Sequence, residues 1–434
     1  MKSSIAQTAT APHRTRSLDG IARRLLHKQL AQLREGELTL VDHETRRFGS
    51  VQTEFPLSVT IEVREPGFYS DVVFGGSVGA GEAYMAGLWI CSDLTSLTRI
   101  LLRNRTVLDG MDGGYSLIAA PLRKLIHAVN RNTKSGSRRN IAAHYDLGND
   151  FFRLFLDDTL MYSSAIFATP ETSLKEASIA KLDLICRKLQ LKPTDHLVEI
   201  GTGWGGFALH AAAHYGCRIT TTTISQNQFD LARERIREAG LADQVTLLLE
   251  DYRELKGQYD KLVSIEMIEA VGHHYYDSFF RQCASLLRPD GAMLLQAITI
   301  ADQQFASARD EVDFIKRYIF PGSCIPAIAP LLQAATRASD LKLVHLEDIG
   351  PHYATTLNHW RQNFFNNIEE VRKLGYPDPF IRMWEFYLTY CEGGFIERVL
   401  GDVHMLFMKP LGRGFPPVTI VPPLRIKGEV STIG

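Results

Sequence analysis

Several features are scarce in this sequence. Its six cysteines (Cys91, Cys186, Cys217, Cys283, Cys324 and Cys391) include no C-x-x-C pair. That spacing excludes a disulfide framework or zinc site, so the thiols read as reduced packing residues and no metal is expected. No stretch approaches the roughly 20 apolar residues that span a bilayer, and Met1 to Pro12 lacks the apolar core of a signal peptide. The expectation is a cytoplasmic protein whose membrane contact is peripheral. A dominant charge is also missing: 48 Lys+Arg against 49 Asp+Glu leave a formal net charge of -1, which gives no bulk attraction to nucleic acid. What remains is an ordinary globular balance, 45% hydrophobic and 22% charged, over 434 residues, a length that suits two domains.

Leu18, Ile21, Ala22, Leu25, Leu26, Leu30 and Leu33 recur at helical spacing among Arg23, Arg24, His27 and Lys28. This predicts an amphipathic helix docked on its own domain, with a membrane-surface helix as the alternative. From Glu37 to about Val73, alternating stretches such as Leu57 to Val63 predict short strands, followed by helices from Glu82 to about Ile118. The run RNTKSGSRRN, residues 131–140, is polar, basic and free of aliphatic side chains, which marks a linker. The chain therefore divides into a smaller mixed N-terminal domain (1–130), a basic linker (131–140) and a larger domain (141–434). Arg123, Lys124, Arg131, Lys134, Arg138 and Arg139 are either a landing surface for anionic headgroups or a solvated linker.

Beyond the linker, seven β-type runs alternate with helical patterns: 196–200, 218–222, 245–249, 261–265, 292–296, 342–346 and 403–407. Such alternation predicts an α/β fold, a seven-stranded, doubly wound, Rossmann-like domain with a largely parallel sheet. The first run ends at Ile200 and passes into Gly201-Thr-Gly203-Trp-Gly205-Gly206, then a helical segment. A dinucleotide site would carry an acid about 20 residues on to hold the ribose, but residues 221–228 read TTTISQNQ, with no acid. Instead Glu199 stands just before the loop, where a carboxylate can pair with the amino-acid end of S-adenosylmethionine. Asp251 and Tyr252, after the third run, offer an acid and a ring for adenine.

At this point the sequence resembles the cyclopropane-fatty-acid synthase family of lipid methyltransferases, which includes the mycolic acid cyclopropane synthases. The resemblance is carried by His144 to Phe152, Met161-Tyr-Ser163, Glu199 to Gly206, Thr223 to Gln228, Glu266 to Gly272, Tyr318 to Pro321, Gly350 to Tyr353 and Cys391 to Phe395. Gly79 to Trp89 resembles the family's smaller N-terminal domain. The resemblance implies cofactor contacts at Tyr162, Ser163, Gly201, Gly203, Thr223, Gln228, Asp251 and Tyr252. It also implies a cage for a bicarbonate ion at Ser164, Glu269, Gln296, Ile298 and Tyr353, with serine and glutamine where cysteine and histidine are more familiar. The implied partner is an unsaturated phospholipid in a bilayer, met at the inner face of the membrane, and the implied assembly is a homodimer.

The chemistry explains why such residues are wanted. An isolated alkene is a poor nucleophile, so it must be held dry and in line with the sulfonium methyl group. Attack leaves a carbocation on the lipid chain, and a base then decides whether a proton is lost with ring closure, giving a cyclopropane, or from a neighbouring carbon, giving a methyl-branched or methylene chain. Phe151, Phe152, Phe155, Met161, Phe167, Trp360, Phe364, Phe365, Trp384 and Phe386 supply apolar surface for an acyl tunnel or for a core. The rival readings are the product without ring closure, a binding protein without turnover, and a nucleic-acid or small-molecule methyltransferase. The last is disfavoured by the charge balance and the lack of an Asn/Asp-Pro-Pro-Tyr motif.

Overall fold

A computed structural model describes residues 16–105 and 147–413. The linker, the basic cluster from Arg123 to Arg139 and the start of the 144–152 motif lie outside the described residues. Two sheets organise the rest, each with its own apolar core.

The first sheet has the order β2-β1-β3-β4: β1 (Gly36–Val41), β2 (Thr45–Ser50), β3 (Ser58–Val63) and β4 (Trp89–Cys91). The helix Arg16–Leu30 buries Ala22, Leu26 and Leu30 beside this sheet and leaves Leu18 and Ile21 exposed. Its stripe thus serves the domain core. The helix expected to begin at Glu82 instead spans Gly67–Met85 and is kinked at Gly76 (φ 58°, ψ −142°). Gly75, Gly76, Gly79 and Gly81 make this a poor helix by propensity, and close packing overrides it. A Cβ on Gly81 would come within 2.4 Å of the Phe314 ring, in the other unit. Gly81→Val is therefore expected to lower stability by about 1–3 kcal/mol through overpacking, read as an earlier denaturation midpoint. Strand β2 escaped the sequence reading because its residues, TRRFGS, are mostly exposed and do not alternate in polarity.

The larger unit holds a seven-stranded sheet of order β10-β11-β9-β8-β5-β6-β7. Its strands are β5 (His196–Ile200), β6 (Arg218–Thr222), β7 (Val245–Leu248), β8 (Tyr259–Ile265), β9 (Leu287–Ile300), β10 (Lys342–Asp348) and β11 (Leu400–Met408). All seven expected strands are present, and only β11 runs antiparallel to its neighbours, β9 and β10. Because β5 lies between β8 and β6, connections leave it toward both sheet edges. The carboxyl end of β5 is thus the topological switch point, where α/β sheets hold their ligands.

The helix Asp378–Ile396 joins the two units. On its inner side Trp384 and Leu388 are buried. Toward the N-terminal unit, Tyr84 donates to Glu385 (2.7 Å), Thr95 to Glu392 (3.1 Å) and Arg99 to Glu397 (2.7 Å). Among the described residues, no helix is long and apolar enough to cross a membrane, and the six cysteines are unpaired.

Candidate active site

The glycine turn follows β5 directly. Gly201, Gly203 and Gly205 take φ values of 101°, 54° and 84°, a left-handed region in which side-chain-bearing residues are strained. Nothing lies within 4 Å of where a Cβ on Gly203 would sit, so the loop leaves open space over the sheet end. Gly205 and Gly206 then start the helix Gly206–Tyr215. Beneath the loop, Glu199 is 2% exposed and accepts from the Thr221 hydroxyl (2.6 Å), which in turn shares a hydrogen bond with Thr202 (2.7 Å). Burial pushes its carboxyl up to about 8.

The other expected cofactor residues fall around this loop. Thr223, just past β6, donates to Gln228 (2.8 Å) at the first turn of the helix Gln226–Glu238, and both are buried. Asp251 and Tyr252 follow β7, but the Asp251 carboxylate is engaged by Arg253, whose Nη2 lies 2.6 Å away. Tyr162 shares a hydroxyl hydrogen bond with Tyr387 (2.8 Å), and its ring lies 5.1 Å from that of Trp360. Ser163 accepts from Lys181 (2.7 Å), a fully buried amine on the helix Leu174–Leu189. The open space over Gly203, the buried acid and the Thr223–Gln228 pair fit the amino-acid and ribose ends of S-adenosylmethionine.

The five residues expected to form an anion cage do come together, but around protein carboxylates. Glu266 Oε1 accepts from the Ser164 backbone N–H (2.8 Å) and from Gln296 Nε2 (2.7 Å), while its Oε2 accepts from the Tyr353 hydroxyl (2.7 Å). Ile298 N–H donates to Glu269 Oε1 (2.6 Å). The Ser164 hydroxyl turns back to the Ala165 carbonyl (3.1 Å), so residue 164 contributes its backbone and the exchange of thiol for hydroxyl changes little. Bicarbonate does not fit this arrangement: its expected donors are already engaged by Glu266 and Glu269.

Sequence reasoning missed the groups that organise this centre. Gln296, 0% exposed, donates its second amide hydrogen to Asp402 (2.8 Å), and its carbonyl lies 3.2 Å from His404 Nε2. His404 Nδ1 lies 2.9 Å from Lys188, which pairs with Glu347. Burial, helped by nearby Lys188, holds His404 neutral. Its Nδ1 then accepts from Lys188 and its Nε2–H donates to Gln296, which fixes the amide orientation. Burial, then the charge of Glu266, pushes the Asp402 carboxyl well up. Burial and Glu266 likewise hold Glu269 up at about 8. Burial also raises Glu266, but the Ser164 N–H, Lys181, the Tyr353 hydroxyl and Asp402 all oppose it. Of the three acids, Glu266 is the one equipped to stay ionised. One signal was available: Lys181 sits among buried positions of its helix, and a lysine there needs a reason.

The aromatic residues set aside for an acyl tunnel are largely packed on one another. Phe151, Phe152, Phe155, Trp360, Phe364 and Trp384 share one buried cluster with Tyr353, with Phe365 and Phe386 at its edge. The stacked Tyr353–Phe395 rings (4.4 Å) attach the cage to that cluster.

A sheet of this order with a glycine loop over β5 and conjugate residues at the ends of β6 and β7 defines an S-adenosylmethionine-dependent methyltransferase. Residues 132–405 match the family described as mycolic acid cyclopropane synthetase, and the chain belongs to that family. It is 37% identical over 327 residues to a tuberculostearic acid methyltransferase of Mycobacterium tuberculosis, covering 74% of this chain and 76% of the relative. To the cyclopropane-fatty-acyl-phospholipid synthase of Escherichia coli it is 34% identical over 359 residues, covering 82% and 89%. Among solved structures, the mycolic acid cyclopropane synthase CmaA1 complexed with SAH and CTAB is similar at TM-score 0.59 and 31% identity, over 63% of this chain and 98% of that one. Membership makes this chain a lipid methyltransferase of the cyclopropane synthase type.

Proposed function

We propose that the protein transfers the methyl group of S-adenosylmethionine to the double bond of an unsaturated phospholipid acyl chain, met at a bilayer surface. The carrying observation is the convergence of an open glycine cradle with buried carboxylates at neighbouring strand ends: Met267, next to Glu266, lies 3.4 Å from a Cβ built on Gly201. The cofactor supplies an electrophilic methyl group. Tyr162, Ser163, Glu199, Gly201, Gly203, Thr223, Gln228, Asp251 and Tyr252 would hold it, and a carboxylate of the neighbouring cage would take the proton lost by a cation on the lipid.

Ring closure to a cyclopropane is the first product reading. A methyl-branched or methylene product is the second, supported by the filled cage and by similarity to a protein named as a tuberculostearic acid methyltransferase. Incubation with labelled S-adenosylmethionine and vesicles of monounsaturated phospholipid, followed by NMR of the released fatty acids, tests both. Ring protons give the first and branched or vinylic signals the second; no transfer to any lipid would remove the proposal. Sedimentation of the protein tests the homodimer.

Gly203→Leu tests the cradle separately. Filling the open space is expected to weaken S-adenosylhomocysteine binding by about a hundredfold, roughly 2.7 kcal/mol, in calorimetric titration. Unchanged binding would take the loop out of the cofactor site.

A further inference from the structure

We infer that Glu266 is the base of the reaction, a built-in carboxylate that does the work an exchangeable anion would otherwise do in the same cage. The inference rests on the lipid methylation proposed above and goes one step further, to the atom that takes the proton.

Three observations carry it. The first is occupancy: the donors of Ser164, Gln296 and Tyr353 all point at the Glu266 carboxylate, at 2.7–2.8 Å. The second is access. Gln296 and Asp402 are 0% exposed, whereas Glu266 as a residue is half-buried. The third is backbone strain. Glu266 has φ 44°, a conformation that costs a side-chain-bearing residue about 1–2 kcal/mol, yet the chain holds it there with Glu266 N–H bonded to the Gln296 carbonyl (2.9 Å). A glutamate in a position that suits glycine, with its carboxylate gripped by three donors, is a placed group.

The proton balance is simple. The alkene's π pair forms the bond to the incoming methyl carbon while the carbon–sulfur pair stays on sulfur, which leaves a positive centre on the adjacent chain carbon. Glu266 takes a proton either from the transferred methyl carbon, whose C–H pair then closes the ring onto the positive centre, or from a chain carbon next to that centre, whose C–H pair becomes a new double bond. Glu266 is left as a neutral acid and returns its proton to solvent after product leaves. Gln296, Asp402 and Lys181 are positioning residues, which act by orienting this carboxylate and keeping it ionised.

The test compares the parent with Glu266→Gln and Glu266→Gly on monounsaturated phospholipid vesicles, in bicarbonate-depleted buffer and with added sodium bicarbonate or formate. The parent is expected to work equally well in both. Both variants should lose about 10²–10⁴-fold, the range of a general base. Only Glu266→Gly, whose cage is opened, should regain rate with bicarbonate or formate. Recovery of rate with added anion, which an unfolded variant cannot show, separates lost chemistry from lost fold, since glycine relieves the backbone but leaves the Ser164, Gln296 and Tyr353 donors without their carboxylate. A parent that collapses without bicarbonate, a Glu266→Gln variant that keeps its rate, or a Glu266→Gly variant that neither added anion rescues would overturn the inference while leaving lipid methylation standing. A parent that transfers no methyl to lipid would overturn both.

Discussion

Lys181→Met is expected to abolish most methyl transfer at neutral pH, about 10²-fold or more, and to destabilise the protein by about 3–5 kcal/mol. The amine is fully buried, donates to Ser163, and is the cation that Glu266, Asp402 and Glu199 share through the field. Without it those carboxyls lose their compensating charge in a low-dielectric setting, and their pKa values are pushed further up. The sign follows: losing the cation raises the Glu266 pKa, so the acid limb of the pH–rate profile moves to higher pH and residual activity returns as pH rises. In the parent, burial lowers Lys181 to about 8, so the amine is charged below that pH and discharges above it. A rate profile for Lys181→Met that overlays the parent's would show that the amine has no hold on the base, whatever happens to stability.

Trp384→Ala is expected to be the most damaging change to the fold alone, at about 3–5 kcal/mol by chemical denaturation. Trp384 is 1% exposed and meets Phe151 at 4.9 Å, Tyr387 at 5.2 Å and Phe380 at 5.8 Å between ring centroids. Its helix, Asp378–Ile396, also carries Glu385 and Glu392 and ends at Glu397, the acceptors that fasten the N-terminal unit. Loosening it should therefore make the two units separable to limited proteolysis at lower denaturant. A loss below 1 kcal/mol with unchanged cleavage would mean that the cluster closes over the cavity and that Trp384 is not its keystone.

The catalytic sheet was legible because its central strands are buried on both faces and read as short β-branched and aliphatic runs; even β9 is centred on the expected 292–296. The glycine loop was legible because its turn admits few other residues. Less visible was anything whose meaning depends on a distant partner. Asp402 and His404 alternate with Val403 and Met405 in a strand, and only the pairing of His404 with Gln296 and of Asp402 with Ile298 reveals which carboxyl and which ring reach the cage. Glu266 was read as part of a motif and passed over in favour of Glu269, because its left-handed backbone and three donors are properties of the folded chain. The helix Gly67–Met85 was hidden by its own glycines, whose cost is met by packing across the unit boundary.

The position of β11 has a temporal consequence. A chain emerging from the ribosome completes β5 to β9, glycine loop included, about a hundred residues before Asp402 and His404 appear. Until β11 slides between β9 and β10, Gln296 has only Glu266 to hold its amide, and the contacts of Asp402 and His404 with that amide are missing. A chain stalled or clipped before residue 400 can thus form a nucleotide cradle with no organised base beside it. The completed cage is thus one of the last features of the described fold to form during synthesis.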